Sequence, residues 1–298
     1  MWRIFGKKSR EQGSLFTLPL VISLLIILLI IISAVLAPVL APDDPDKLNL
    51  SQTLQSPSLQ HLLGTDKTGR DLFSRMLFGT RTTLLSALAV VLISVIIGIP
   101  LGLYSGYFGG WLDNLIMRAE DIILAFPALL LAFIFVAGFG RGIGNAVLAL
   151  GIVYVPMISR LARSLTLSEK NKTYVEAAQS IGYSNMRIMF RHILPNCVST
   201  MIAQLTLDIG YAILDLAALS FLGLGVQPPT SDWGAMLEEG RIFLQIKPLL
   251  ALAPGIAIVI TVVAFNILSD GVEMYLDPSQ RKLPKFKMVR QMVGEQNG

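Results

Sequence analysis

The sequence predicts an all-α polytopic membrane protein with six transmembrane helices, and three observations predict it. The 298 residues are 53% hydrophobic and only 15% charged, where soluble domains carry about 25% charged residues, and mean hydropathy is +0.65. The apolar residues gather in long charge-free runs of the length, about 20 residues, that an α-helix needs to cross a bilayer core. The Lys and Arg residues collect at alternate ends of those runs. A secreted or cytosolic globular enzyme is excluded. One cysteine, Cys197, excludes an internal disulfide framework and a Cys-cluster metal centre, and two histidines are too few for a His-built one. No metal site is expected.

Each element follows from its stretch of chain. Residues 1–17 form a tail bearing Arg3, Lys7, Lys8 and Arg10. The charge-free run from Gln12 to Pro42 follows, and its apolar core, Leu18 to Leu36, exceeds the usual 7–15 residues of a signal peptide. An uncleaved first span over 18–40 is expected, then an extracytoplasmic loop over 41–82. The permease-like core, 83–298, begins with a second span over 83–106, inside the charge-free run from Thr82 to Leu112. Two further runs flank the lone Arg141 and predict a hairpin of spans over 120–139 and 143–162, turning near Gly138 to Gly144. A cytoplasmic loop over 165–195 leads to a fifth span over 196–222, interrupted by Asp208 and Asp215. A sixth span over 249–269 and a cytoplasmic tail complete the chain. With both termini cytoplasmic, sixteen of the 24 Lys and Arg lie inside, as the positive-inside rule requires. The net charge of +4 is thereby explained by topology in a lipid bilayer, without a nucleic-acid partner.

No complete catalytic constellation is present. The string Gly64 to Asp71 misses a phosphate-binding loop, because Arg70 and Asp71 stand where Lys and Ser or Thr are required. Asp66-Lys67-Thr68-Gly69 looks like the phosphorylated-aspartate motif of ion pumps, but no loop is large enough for the domains such a pump needs. Turns leading into span two are the expected role. The best-organised polar segment is the loop before span five. Thr173 and Glu176 have capping-box spacing. Tyr174, Ala177, Ala178 and Ile181 share one helical face, Gly182 permits a turn, and Met186, Met189, Phe190 and Ile193 form a second apolar stripe. Pro195 is expected to end that helix. A unit this small needs a partner surface.

These residues carry a resemblance. Glu176-Ala177-Ala178, Gly182 and Leu194-Pro195 resemble the EAA loop of bacterial ABC import permeases, with His192 in place of the usual isoleucine. His192-Ile193-Leu194-Pro195-Asn196 is similar to the dipeptide, oligopeptide and nickel subgroup. The likeness extends over most of the chain: Leu63-Gly64-Thr65-Asp66 with Gly69-Arg70-Asp71, Ala125-Phe126-Pro127, Ser220-Phe221-Leu222-Gly223-Leu224-Gly225, Trp233-Gly234, Asn266, Asp270 and Asp277-Pro278. The long first loop resembles the C-type member of the permease pair. The resemblance implies a type I ABC importer permease fold in a bacterial inner membrane. It also implies no cofactor in this chain, with ATP and Mg held by one or two kinds of cytoplasmic ATPase. A second, non-identical permease and an extracytoplasmic substrate-binding protein complete the machine. Thr173, Glu176, Ala177, Ala178, Gly182, His192, Leu194 and Pro195 would form the ATPase-coupling loop. Di- or oligopeptides are the expected substrates, with nickel or another metal chelate as the alternative.

Asp208 and Asp215 lie seven residues apart, on one helix face. Ionisable groups inside a span normally face a bundle interior or a water-filled cavity. Two readings stand equally: a lining of the translocation path or its gate, or structural pairing. The same acids leave room for a secondary transporter that works without ATPases, a class in which the EAA loop has no evident purpose.

Overall fold

Lipid offers backbone groups no hydrogen-bond partners, so a spanning chain must satisfy them within each helix or in a closed barrel. The computed structural model describes residues 18–276, and every regular element among them is helical. The charged N-terminal tail, the C-terminal tail and Asp277-Pro278 lie outside the described residues. In order the elements are α1 (Leu18–Val35), α2 (Ala37–Leu40), a 3-10 turn (Leu50–Gln52), α3 (Leu72–Phe108), α4 (Gly110–Leu124), α5 (Ala128–Phe139) and α6 (Ile143–Lys170). Then come α7 (Thr173–Ser180), α8 (Asn185–Ile188), a π-helical turn (Met189–Ile193), α9 (Leu194–Phe221), α10 (Trp233–Arg241) and α11 (Leu249–Leu276). Among the described residues five helices are long and apolar enough to cross a membrane, six when the bent pair α4 and α5 counts as one span.

The bounds of the spans depart from the sequence expectation, with α3 beginning at Leu72 and α6 and α11 running on to Lys170 and Leu276, and two spans differ more deeply. The third, expected as one helix over 120–139, is two helices bent by 84°. Pro127 is the cause: it has no N–H to continue the ladder, and it pushes the residue before it out of the α region. The α4 limb starts back at Gly110 and is amphipathic. Its Asp113 accepts two 2.6 Å hydrogen bonds from Arg163 of α6, through Nε and one terminal nitrogen. Asp121 accepts another, also at 2.6 Å, from Arg160. The fifth span is longer than expected, because Pro195 does not end the preceding helix. A π turn precedes it, in which the Leu194 N–H bonds to the Met189 carbonyl five residues back. The wider turn accommodates a proline that has no N–H to give. The helix therefore runs unbroken from Asn185 to Phe221.

The centre of the bundle is the α3–α6 pair, the most extensive contact in the fold. Gly98, Gly102 and Gly106 recur every fourth residue on one face of α3. A Cβ at Gly102 would overlap the Ser159 carbonyl and the Ala162 side chain, so the backbones touch where small residues permit it. Around this pair α9 and α11 pack side by side, and α1 lies against α11, where Gly271 receives Leu20.

The end of the bundle that carries α10 is locked by buried charge. Asp71 caps α3, accepting from the Ser74 N–H at 2.7 Å. Asp66 accepts from Arg70 Nε at 2.7 Å and from Arg75 at 2.6 Å. The same two arginines reach Glu239 of α10 at 3.1 and 2.8 Å. Burial acts to raise the Asp66 carboxyl, but the Arg75 guanidinium, the Thr68 hydroxyl, and the Arg70 backbone and charge outweigh it and hold it below the ordinary carboxylate range. The string Gly64 to Asp71 is thus a structural hub. Asp232 completes the end by capping α10 and accepting from the Thr83 hydroxyl at 2.7 Å.

Candidate functional site

At the opposite end, α7 and α8 form a small unit laid across the ends of α3 and α6. Val175 and Ala178 are buried, together with Ile188, Met189 and Ile193, against Leu103, Tyr107 and Ala162. Polar ties hold the unit in place. The Tyr107 hydroxyl donates to Asn185 at 3.0 Å, and the Tyr174 hydroxyl donates to Glu169 at 2.8 Å. Burial and the Glu169 carboxylate push the Tyr174 phenol up to about 12, so it stays a donor.

The capping box is out of register by one residue. Lys172, with extended backbone, occupies the N-cap, and Thr173 is the first helical residue, so its hydroxyl makes no cap bond. Lys172 takes that place because its carbonyl accepts the Val175 N–H at 2.9 Å. The four residues expected on one face, Tyr174, Ala177, Ala178 and Ile181, are divided between the bundle and the surface. Ala178 packs inward, whereas Thr173, Glu176, Ala177 and Ile181 point away, Ile181 at 71% exposure. Gly182 ends α7 at φ 89° in a Schellman turn: its N–H bonds to the Gln179 carbonyl and that of Tyr183 to Ala178. His192 sits in the π turn, stacks on Tyr183 at 5.4 Å, and its Nε2 has no hydrogen-bond partner. Leu194 is half-buried and Pro195 exposed. Of the candidate residues, Thr173, Glu176, Ala177 and Gly182 lie on one exposed ledge that runs through Ile181 to Met186, while Ala178 packs inward and His192, Leu194 and Pro195 follow in the π turn and the start of α9. Such a face is built for close approach by another surface.

Asp208 and Asp215 do share one face of α9. Asp208 is 3% exposed; Gln204 donates to one of its oxygens at 2.8 Å and the other has no partner. Asp215 is half-buried and accepts from the Tyr154 hydroxyl of α6 at 2.8 Å. One acid is thus structurally paired, while the other keeps an unsatisfied oxygen within the bundle.

Sequence reasoning missed two groups. Glu120 of α4 is buried beside Ser159 and Arg160, with neither of its oxygens hydrogen-bonded. The seven-residue spacing of Asp113 and Glu120, matched by Arg160 and Arg163 on α6, is the signal that would have found this contact. The other is a cluster of Asp43, His61 and Asp71 at the α10 end. Counting cysteines and histidines alone passed over it, because carboxylates complete the set.

Comparison with known proteins resolves the class. Residues 98–282 match the family described as binding-protein-dependent transport system inner membrane component. Residues 20–57 match the N-terminal TM domain of oligopeptide transport permease C. The chain is 45% identical over 278 residues, 93% of its length and 90% of the relative's, to the glutathione transport system permease protein GsiD of Escherichia coli O6:K15:H31 (strain 536 / UPEC). It has the same identity and coverage with GsiD of Shigella boydii serotype 4. Among solved structures, an inward-facing MetNI methionine ABC transporter matches with TM-score 0.56 at 18% identity, over 69% of this chain and 98% of the other. That likeness shows a shared type I importer permease fold. A secondary transporter working without ATPases is excluded. With the family model covering most of the bundle and the curated relatives nearly the whole chain, this protein belongs to the binding-protein-dependent transport system inner membrane components, the non-catalytic permease subunits of ABC importers, which work with ATPase and substrate-binding partners.

Proposed function

We propose that this chain forms half of a peptide-translocating pathway, paired with a second, non-identical permease, and takes its power stroke through the α7–α8 ledge. The exposed small-residue face of α7 carries the reading. Glu176 and Ala177 stand clear of the bundle while Val175 and Ala178 anchor the same helix to α3 and α6, so a force applied to the ledge reaches the spans directly. Both termini and the ledge are cytoplasmic in this reading, consistent with the distribution of Lys and Arg. ATP and Mg are bound by the ATPase subunits, and an extracytoplasmic binding protein delivers substrate at the α10 end. The names of the relatives favour a small peptide such as glutathione over a nickel chelate. Asp208, with its unsatisfied oxygen, belongs in this reading to the path or its gate. A ligand moves such a system only through unequal contacts in its two states.

Ala177→Trp tests the coupling role, because Ala177 is exposed and a larger side chain there disturbs no packing within the chain. The variant is expected to insert normally and to lose ATPase copurification and nucleotide-dependent peptide uptake together. Wild-type uptake by an inserted Ala177→Trp permease would refute the docking face.

A further inference from the structure

The Asp43, His61 and Asp71 cluster has no part in coupling or in the polar track of α9, yet its geometry is specific. Three separate pieces of chain build it: the segment after α2, the loop before α3, and the cap of α3. His61 and Asp71 are buried, with side chains 8% and 0% exposed, and His61 Nδ1 lies 2.9 Å from Asp71 Oδ1 and 3.9 Å from Asp43 Oδ2. One ligand atom from each residue lies within 4.8 Å of the other two. Ligand atoms about 2.0–2.2 Å from a shared ion stand roughly 3–4 Å apart, so small side-chain adjustments bring all three onto one ion.

The surroundings of the cluster suit a cation. The group opens on a cavity of about 120 Å³ whose charged lining is three carboxylates, Asp43, Asp44 and Asp71, against one ammonium, Lys47. The buried His61 ring lines that cavity, and its Nε2 makes no hydrogen bond with any described residue. Asp71 divides its work, since Oδ2 caps the Ser74 N–H at 2.7 Å while Oδ1 faces His61. A metal ion could take Oδ1 without uncapping α3. Bound in this way, the imidazole carries its hydrogen on Nε2, facing the cavity, and presents Nδ1 as a lone-pair donor.

We propose that Asp43, His61 and Asp71 bind one first-row divalent transition-metal ion, of which Zn²⁺ is the type, at the α10 end of the permease. One imidazole nitrogen with two carboxylate oxygens suits such ions, whereas Ca²⁺ and Mg²⁺ take oxygen ligands alone. Three protein ligands leave a coordination position for water or for a group offered by a partner. The ion ties the strap after α2 to the cap of α3, and this assignment stands independently of the coupling reading.

The test titrates the whole nucleotide-free transporter complex, prepared without a histidine tag, with Co²⁺ as spectroscopic probe and Zn²⁺ as competitor. Wild type is expected to bind one Co²⁺ per permease chain more than the Asp43→Asn complex does, with visible ligand-field bands that Zn²⁺ abolishes. Asp43 is exposed and its carboxylate accepts no hydrogen bond from a described residue, so Asp43→Asn preserves the fold; it is expected to weaken that site at least about tenfold. His61→Gln reports the same loss from the nitrogen side. Equal Co²⁺ uptake by wild type and Asp43→Asn, or bands that survive in both variants, would overturn the assignment.

Discussion

Arg75→Ala is expected to unlock the α10 end while leaving the spans packed. Arg75 is 2% exposed and donates to Asp66 at 2.6 Å, Glu239 at 2.8 Å and Ser231 at 3.4 Å. The quartet of Arg70, Arg75, Asp66 and Glu239 is neutral, and the substitution leaves it with one uncompensated buried negative charge. Breaking a buried pair from one side costs about 3–5 kcal/mol. Asp66 keeps the Arg70 side chain and the Thr68 and Arg70 backbone donors, so the cost falls at the lower end, about 3 kcal/mol. That is roughly a hundredfold in the docking equilibrium. Limited proteolysis of segment 43–71 in the purified complex reads it directly, as a cleavage rate raised by about that factor. The paired change Arg75→Met with Glu239→Leu removes both charges, leaves the Arg70–Asp66 pair intact, and is expected to restore most of the protection. A single-variant loss under about 1 kcal/mol, or a double variant as labile as the single, would refute the idea that buried charge pairing holds this end.

The remaining expectations concern acid, packing and transport. The Asp66 carboxyl lies below its ordinary value, so its stabilisation is complete above an unfolded value near 3.9 and is lost as pH falls through the lower folded one; protease protection of 43–71 should fail only in strong acid, and Asp66→Asn should abolish that acid step. The Asp232 carboxyl is raised by burial, against its hydrogen bonds, so its contribution is full at low pH and fades as pH rises through the folded value; Asp232→Asn should make thermal stability less dependent on pH in that direction. Gly102→Leu forces a side chain into the Ser159 backbone and Ala162 and should lower stability by at least about 1–3 kcal/mol, seen as a reduced Tm and poor assembly. Asp208→Asn should assemble normally and transport at least about tenfold more slowly, a loss of roughly 1.4 kcal/mol in barrier terms; normal uptake by both Asp208→Asn and Asp215→Asn would remove the acids from the path.

The long charge-free runs made the spans legible, because exclusion of charge over about 20 residues has few other causes. The break at Pro127 was harder to see, since apolar residues continue on its far side and membrane helices tolerate proline when neighbours repair the ladder. What decides it is α4, whose acids find Arg160 and Arg163 on another helix. The α7 unit was located by its Glu-Ala-Ala and glycine, but which of its faces meets the bundle was left open: Val175 and Ala178 meet α3 and α6, leaving Ala177 and Ile181 outside. An isolated helix gives no sign of which of two plausible faces has a neighbour. The second acid of the lock was likewise invisible locally, because Glu239 stands 169 positions from Arg70, which bridges it to Asp66.

The unbroken helix from Asn185 to Phe221 has 37 residues and, at 1.5 Å each, measures about 55 Å. One end is fixed to the ledge through the π turn. The other runs beneath α10, where Gly234 rests on the Ala217 backbone and the Ser220 hydroxyl accepts the Val226 N–H. A rod of this kind has few degrees of freedom: it can tilt, slide or turn, but it cannot shorten or fold. Any displacement imposed on the ledge is therefore answered at the distant lock as rigid motion of the whole shaft.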